Sequence, residues 1–135
     1  MIPAFQRVDH IHVYVTDRVA AEAWYASVLG FSRVPELVFW AEGGPLTLVD
    51  PSGTVHLALF QREPQKCRSV IALGASAGEL LAWQTHLAGA LGGPIELVDH
   101  EVSWSIYFVD PDGNPYEITT YEYAEITSLL GRRAG

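Results

Sequence analysis

The sequence predicts an α+β fold built from two tandem βαβββ modules, and three observations predict it. The segment VDPSG at Val49–Gly53 recurs as VDPDG at Val109–Gly113, displaced by 60 residues. The same displacement lays the first strand of one half on that of the other, His10 falling on Val70. It also brings Leu29-Gly30, at the end of one helical stretch, close to Leu91-Gly92 at the end of another. Finally, each half reads strand, helix, strand, strand, strand. The expected organisation of the 135 residues is a single domain with module one at about 1–63, module two at about 66–122 and a tail at 123–135.

The elements follow in order. VDHIHVYV at 8–15 alternates strictly, with His10, His12 and Tyr14 on one face and Asp9, Ile11, Val13 and Val15 on the other. Asp17 is placed to cap a helix over Arg18–Leu29, which Gly30 stops. Phe31–Ala41 is aromatic and β-branched and reads as strand. Gly43-Gly44-Pro45 turns the chain into a strand over Leu46–Val49. Asp50-Pro51-Ser52-Gly53 is a turn, and Val55–Phe60 is the next strand. Gln61–Arg68 is polar, contains Pro64 and serves as linker. The second half gives a strand at Ser69–Leu73 and a helix at Gly78–Leu91 with Leu80, Trp83, Leu87 and Leu91 on one stripe. Strands follow from Ile95, over Trp104–Val109 and over Tyr116–Tyr121. A short helix over Tyr123–Leu130 is closed by Gly131.

Composition bounds the function. Eight Lys and Arg stand against 16 Asp and Glu, a net charge of −8, while 49% of residues are hydrophobic and 18% charged. The chain is globular in composition and lacks the clustered cations that a nucleic-acid partner requires. Cys67 is the only cysteine, sits in the polar linker and has no base beside it, so neither an intrachain disulfide nor a thiol nucleophile is expected. The N-terminus lacks the pattern of a secretory signal, and no uncharged apolar stretch reaches the roughly 18 residues of a membrane span. A cytoplasmic protein acting on a small molecule is the expectation.

The donors are histidines and one carboxylate. His10 and His12 share a strand face. After the first DPxG turn, Val55, Leu57 and Leu59 form the apolar face and His56, Ala58 and Phe60 the other. In the last strand Glu117 and Thr119 oppose Tyr116 and Ile118. Parity lets His10, His56 and Glu117 point the same way. Two imidazoles and a carboxylate are the donors of the facial triad of non-haem Fe(II) oxygenases.

The tandem modules, the opening DHIHVYVTD…WYASVLGF and the closing YFVDPDGNPYEI resemble the vicinal oxygen chelate superfamily over essentially the whole chain. That group includes glyoxalase I, extradiol ring-cleaving dioxygenases, methylmalonyl-CoA epimerase, and the fosfomycin and bleomycin resistance proteins. The resemblance implies strands around a cup, helices on its outer face, a divalent metal on the concave side and a homodimer. It implies metal ligands at His10, His56, Val70 and Glu117, the His56–Glu117 match needing a one-residue gap after the turn. Val70 cannot bind a metal, and glyoxalase I, extradiol dioxygenases and fosfomycin-modifying enzymes carry a histidine there. Fe(II) is the favoured ion, with Mn, Ni, Zn and Mg as alternatives.

Within Val98–Glu117, extradiol dioxygenases have a comparable run. This sequence supplies His100, Ile106-Tyr107, the Asp110–Gly113 turn and Glu117. By resemblance His100 is an acid/base group and Tyr107 a substrate hydrogen-bond donor, with a solvated loop histidine and a half-buried sheet aromatic as the alternatives. His12, Tyr14, Phe60 and Trp104 are candidate substrate contacts. Trp40, Phe60 and Trp104 suit either an apolar pocket or core packing. The expected function is a metal-dependent, dioxygenase-like enzyme whose small substrate chelates through vicinal oxygens. A glyoxalase-like lyase or isomerase and a metal-free drug- or metabolite-binding protein are the alternatives, Val70 favouring the last.

Overall fold

The computed structural model describes residues 1–64 and 69–134. Cys67 and the end of the expected linker lie outside the described residues. The chain divides into two compact units, Met1–Gln65 and Lys66–Gly135, each a four-stranded mixed sheet with helices.

In the first unit the order is β1 (Ile11–Val15), α1 (Arg18–Leu29), β2 (Ser32–Arg33), a 3-10 helix (Pro35–Ala41), β3 (Leu46–Val49) and β4 (His56–Gln61). The sheet order is β1-β4-β3-β2, with β1 parallel to β4 and the other pairs antiparallel. Helix α1 begins where the Asp17 side chain accepts from the Ala20 amide at 3.1 Å and ends at Gly30, whose φ of 77° favours a residue without Cβ. Its Ala21, Tyr25, Val28 and Leu29 are buried, as are Val13, Val15, Leu46, Leu48, Leu57 and Leu59 of the sheet. Burying these apolar surfaces is what drives helix and sheet together.

The second unit repeats the plan: β5 (Ile71–Gly74), α2 (Ala77–Leu91), β6 (Val98–Asp99), β7 (Trp104–Val109), β8 (Pro115–Thr120) and α3 (Tyr123–Ala134). Its sheet order is β5-β8-β7-β6, again with one parallel pair, β5 on β8. Ser76 and Glu79 form a reciprocal capping box at the start of α2. Leu80 and Leu87 of α2 and Ile126 of α3 are buried, as are Ile106, Phe108, Tyr116 and Ile118 of the sheet. Among the described residues no helix is long and apolar enough to cross a membrane.

Three expectations are corrected. Phe31–Ala41 is not a strand: only Ser32–Arg33 pairs, and Pro35 opens a 3-10 helix in which the Leu37 amide donates to the Val34 carbonyl at 3.0 Å. Proline has no N–H to give a ladder but suits a first helical turn. Gly131 does not close the last helix, which runs to Ala134. The hairpins also differ in length. The Asp50 amide donates to the Val55 carbonyl, whereas the Asp110 amide donates to that of Asn114. Val49 pairs with His56, but Val109 pairs with Pro115. After the turn the repeat is therefore displaced by 59 residues, not 61. The strand-register counterpart of Glu117 is Ala58, and that of His56 is Pro115.

Candidate functional site

Parity turns one face of the first sheet toward the core and leaves the other to function. Ile11 pairs with Leu57 in the parallel β1–β4 ladder, and one step back the same register sets His10 beside His56. Both imidazoles line one cavity of about 210 Å³, together with Asp9, Leu37, Trp40 and Thr47. His10 Nδ1 lies 2.8 Å from the Asp9 carboxylate, and its Nε2 lies 3.0 Å from Nε2 of His12. The hydrogen bond from His10, helped by the Arg7 charge, holds the Asp9 carboxyl below its ordinary range. Asp9 is a residue that alternation misassigned. It precedes the first paired residue, Ile11, so nothing holds its side chain to the core face.

His12 and Tyr14 continue the same face. The ring centroids of His12 and Phe60 are 4.7 Å apart, and those of Tyr14 and Phe60 are 5.8 Å apart. Phe60 lines a second cavity, of about 250 Å³, with Arg18 and Arg62.

The second unit assembles a different set. Across the antiparallel β7–β8 ladder, Tyr107 stands opposite Glu117 and Ser105 opposite Thr119. The Ser105 hydroxyl donates to the Glu117 carboxylate at 2.7 Å and lies 2.9 Å from Thr119 Oγ1. The Tyr107 hydroxyl is 2.8 Å from His100 Nε2. His100 sits on a tight turn, its amide donating to the Ser103 carbonyl, with Glu101 at φ 70°. Burial and then the Glu117 charge push the Tyr107 phenol above its ordinary pKa, so it remains a proton donor at neutral pH. His100, Tyr107 and Glu117 are thus brought together, and Ser105 is a partner that the sequence reading did not single out.

Trp104, a candidate for either a substrate contact or core packing, lies on the opposite side of its sheet from the Glu117 side chain. It shares parity with Ile106 and Phe108, pairs with the buried Thr120, and stacks on Tyr123 at 6.1 Å. It therefore belongs to the core side of the sheet, not to the Glu117 face. Ala72 stands beside Glu117 in the parallel ladder, and Val70 is 47% exposed two residues earlier. Neither side chain has a donor atom.

Within each unit taken alone, no three His, Cys, Asp or Glu side chains group to hold a metal among the described residues. The donor types still fit a divalent ion: two neighbouring imidazoles in a cavity, one braced by a carboxylate, and a carboxylate on a sheet face.

Residues 7–118 match the family described as the Glyoxalase/Bleomycin resistance protein/Dioxygenase superfamily. No curated protein matches the chain in sequence. Among solved structures, a glyoxylase/bleomycin resistance protein/dioxygenase domain from Frankia sp. aligns with a TM-score of 0.69 at 18% identity, covering 88% of this chain and 94% of that one. Lactoylglutathione lyase from Agrobacterium tumefaciens aligns with a TM-score of 0.67 at 23% identity, covering 87% and 96%. The fosfomycin resistance protein FosX from Listeria monocytogenes, solved with Mn(II) and sulfate, aligns with a TM-score of 0.66 at 15% identity, covering 94% and 99%. At these identities the likeness is one of fold, and it agrees with the paired βαβββ units. With the family matched across most of its length, the chain belongs to the Glyoxalase/Bleomycin resistance protein/Dioxygenase superfamily.

Proposed function

We propose that this protein is a divalent-metal-dependent enzyme with dioxygenase-like activity on a small substrate bearing two vicinal oxygens, as a catechol does. The proposed ligands are His10, His56 and Glu117, with Fe(II) the favoured ion. A bound divalent ion supplies Lewis acidity toward the substrate oxygens. The observation that carries the reading is the hydrogen bond between His100 and Tyr107, the residue that faces Glu117 across the β7–β8 ladder. A vicinal diol must lose protons to chelate. An imidazole takes them up near neutral pH, and a phenol held neutral donates to a substrate oxygen. His100 is the acid/base group in this scheme and Tyr107 the hydrogen-bond donor. Asp9 orients the His10 ring through Nδ1, and Ser105 holds the Glu117 carboxylate. The Mn(II) in the Listeria FosX structure supports a divalent ion on this fold. Like many members of its superfamily, the protein is proposed to work as a cytoplasmic homodimer.

The test starts with untagged protein. Metal analysis is expected to give stoichiometric ion after Fe(II) or Mn(II) loading, lost in both His10→Ala and Glu117→Ala. Oxygen uptake with a panel of catechols under Fe(II) then separates ring cleavage from lyase or isomerase chemistry. Failure to take up either ion would discard the enzyme reading in favour of metal-free binding of a drug or metabolite, the reading that Val70 favours.

A further inference from the structure

The second cavity of the first unit concentrates positive charge in an acidic chain. Arg18 and Arg62 both line it, and its lining contains no Asp or Glu. The whole protein has eight Lys and Arg and a net charge of −8, so two guanidinium groups on one small cavity stand out from the composition.

The Arg18 charge is partly offset by Glu22, one helical turn on, whose carboxyl it helps to lower. Arg18 spends its hydrogen bonds on main-chain carbonyls, Gly44 at 2.7 Å and Ala41 at 2.8 Å. Arg62 lies over the Phe60 ring, 5.2 Å from its centroid. Among the described residues neither forms an ion pair. The carbonyl contacts fix Arg18 as part of the wall. Arg62 is exposed and held by a ring face, which leaves the edges of its guanidinium for a ligand.

This cavity is also linked to the histidines. His10 stacks on His12 with centroids 5.0 Å apart, His12 meets Phe60 at 4.7 Å, and Phe60 carries Arg62. Trp40 walls the histidine cavity, and Ala41, the next residue, walls the basic one. A run of ring faces therefore leads along one sheet face from the candidate metal ligand to a cation. Planar apolar surface bounded by a guanidinium suits an aromatic or unsaturated ligand ending in a carboxylate.

The geometry points to the Arg18–Arg62 cavity as a subsite for a carboxylate carried by such a substrate, with Arg62 as the residue that selects for the anion. This inference rests on the function proposed above for the identity of the ligand as substrate, but the anion site can be measured without metal.

Full-length protein freed of metal with chelator is titrated with 4-phenylbutyrate and with 4-phenylbutyramide, following shifts of its NMR signals. The carboxylate is expected to bind about tenfold tighter than the amide. That preference should fall as NaCl is raised from about 0.05 M to about 0.5 M. Arg62→Gln should bring the two ligands within about twofold of each other, and Arg62→Lys should keep part of the preference, since the charge remains while the planar fork is lost. Signals of Phe60 should shift with the carboxylate in the wild type. Equal binding of the two probes, binding of neither, or a preference that survives in Arg62→Gln would overturn the subsite. A protein that takes up no metal yet prefers the carboxylate through Arg62 would keep the subsite while removing the enzyme reading. Metal uptake without any carboxylate preference would do the reverse.

Discussion

The Tyr107 hydroxyl is 2.8 Å from Nε2 of His100, while the same tyrosine stands directly across the β7–β8 ladder from Glu117. A phenol so placed is kept protonated by burial and by the carboxylate facing it. Removing only its oxygen, in Tyr107→Phe, should lower ring cleavage by about a hundredfold with metal content unchanged. His100→Ala should act in the same direction. A His100→Ala enzyme with unaltered turnover would remove the acid/base role.

The phenol of Tyr107 should also show in an alkaline titration. Its folded pKa lies above the unfolded one, so its contribution to stability is complete below about pH 10 and fades as pH rises through the folded value. Tyr123 behaves likewise because its hydroxyl donates to the Asp99 carboxylate at 2.9 Å, and that anion opposes a second negative charge. Phenolate absorbance should therefore rise in two groups, and Tyr107→Phe and Tyr123→Phe should each remove part of the later one.

Asp9→Asn tests the bracing of His10. It leaves size and hydrogen bonding largely intact but removes the charge that holds Nδ1. Loss of such an outer partner typically weakens metal affinity by about 10–100-fold. Isothermal titration with Mn(II) should show that drop, whereas Arg7→Gln should change affinity far less.

The two DPxG aspartates are hairpin keystones. Asp110 is 2% exposed and accepts from the Asp112 and Asn114 amides and from Asn114 Nδ2 at 2.8–2.9 Å. Asp110→Ala strands these donors and should cost about 2–3 kcal/mol in urea unfolding. For Asp50, burial pushes the carboxyl up, but the Ser52 hydroxyl and the Val55, Ser52 and Thr54 amides outweigh it and leave the group lowered. A lowered folded pKa means that the stabilisation exists above the ordinary Asp value and is lost as pH falls through the folded one. Asp50→Asn should therefore lower stability at neutral pH and remove part of the acid-unfolding limb, so that stability varies less with pH below the ordinary Asp value.

Trp104→Leu should destabilise the second unit by about 2 kcal/mol, since a large ring leaves the core side of its sheet. Carboxylate binding and turnover by the remaining folded protein should be unaffected. A selective loss of substrate affinity would return Trp104 to the functional face.

How much of this the sequence carried depends on how local each cause is. Helix α1 was readable to its last residue, because Asp17 and Gly30 are adjacent in sequence to what they cap. The capping box of α2 is equally local, Ser76 and Glu79 being three apart, but Gly78 drew the expected start past it. Pro35 outweighed an aromatic composition that suggested strand. The facing of Glu117 and Tyr107 follows from period two within strands, whereas Trp104 was assigned by residue type when the same period places it with Ile106. The basic cavity was not legible at all. Gln61 Oε1 accepts from the Arg18 amide across 43 residues of sequence, and only the fold brings those ends together.

The unequal hairpins have a consequence for how the two halves could have diverged. One residue fewer in the second loop slides Glu117 to the depth that Ala58 holds in the first unit, two rungs further from the turn than His56. Because rungs alternate, a two-rung offset keeps the side chain on the open face, where a one-rung offset would have driven a carboxylate into the apolar layer. The halves are consequently not interchangeable parts. A protein made by repeating the first half twice would carry alanine at the rung of Glu117, and histidine at a rung where the natural second half has Pro115. Their division of labour is written into loop length as much as into residue identity, so trimming a single residue from one loop is enough to re-aim everything downstream of it.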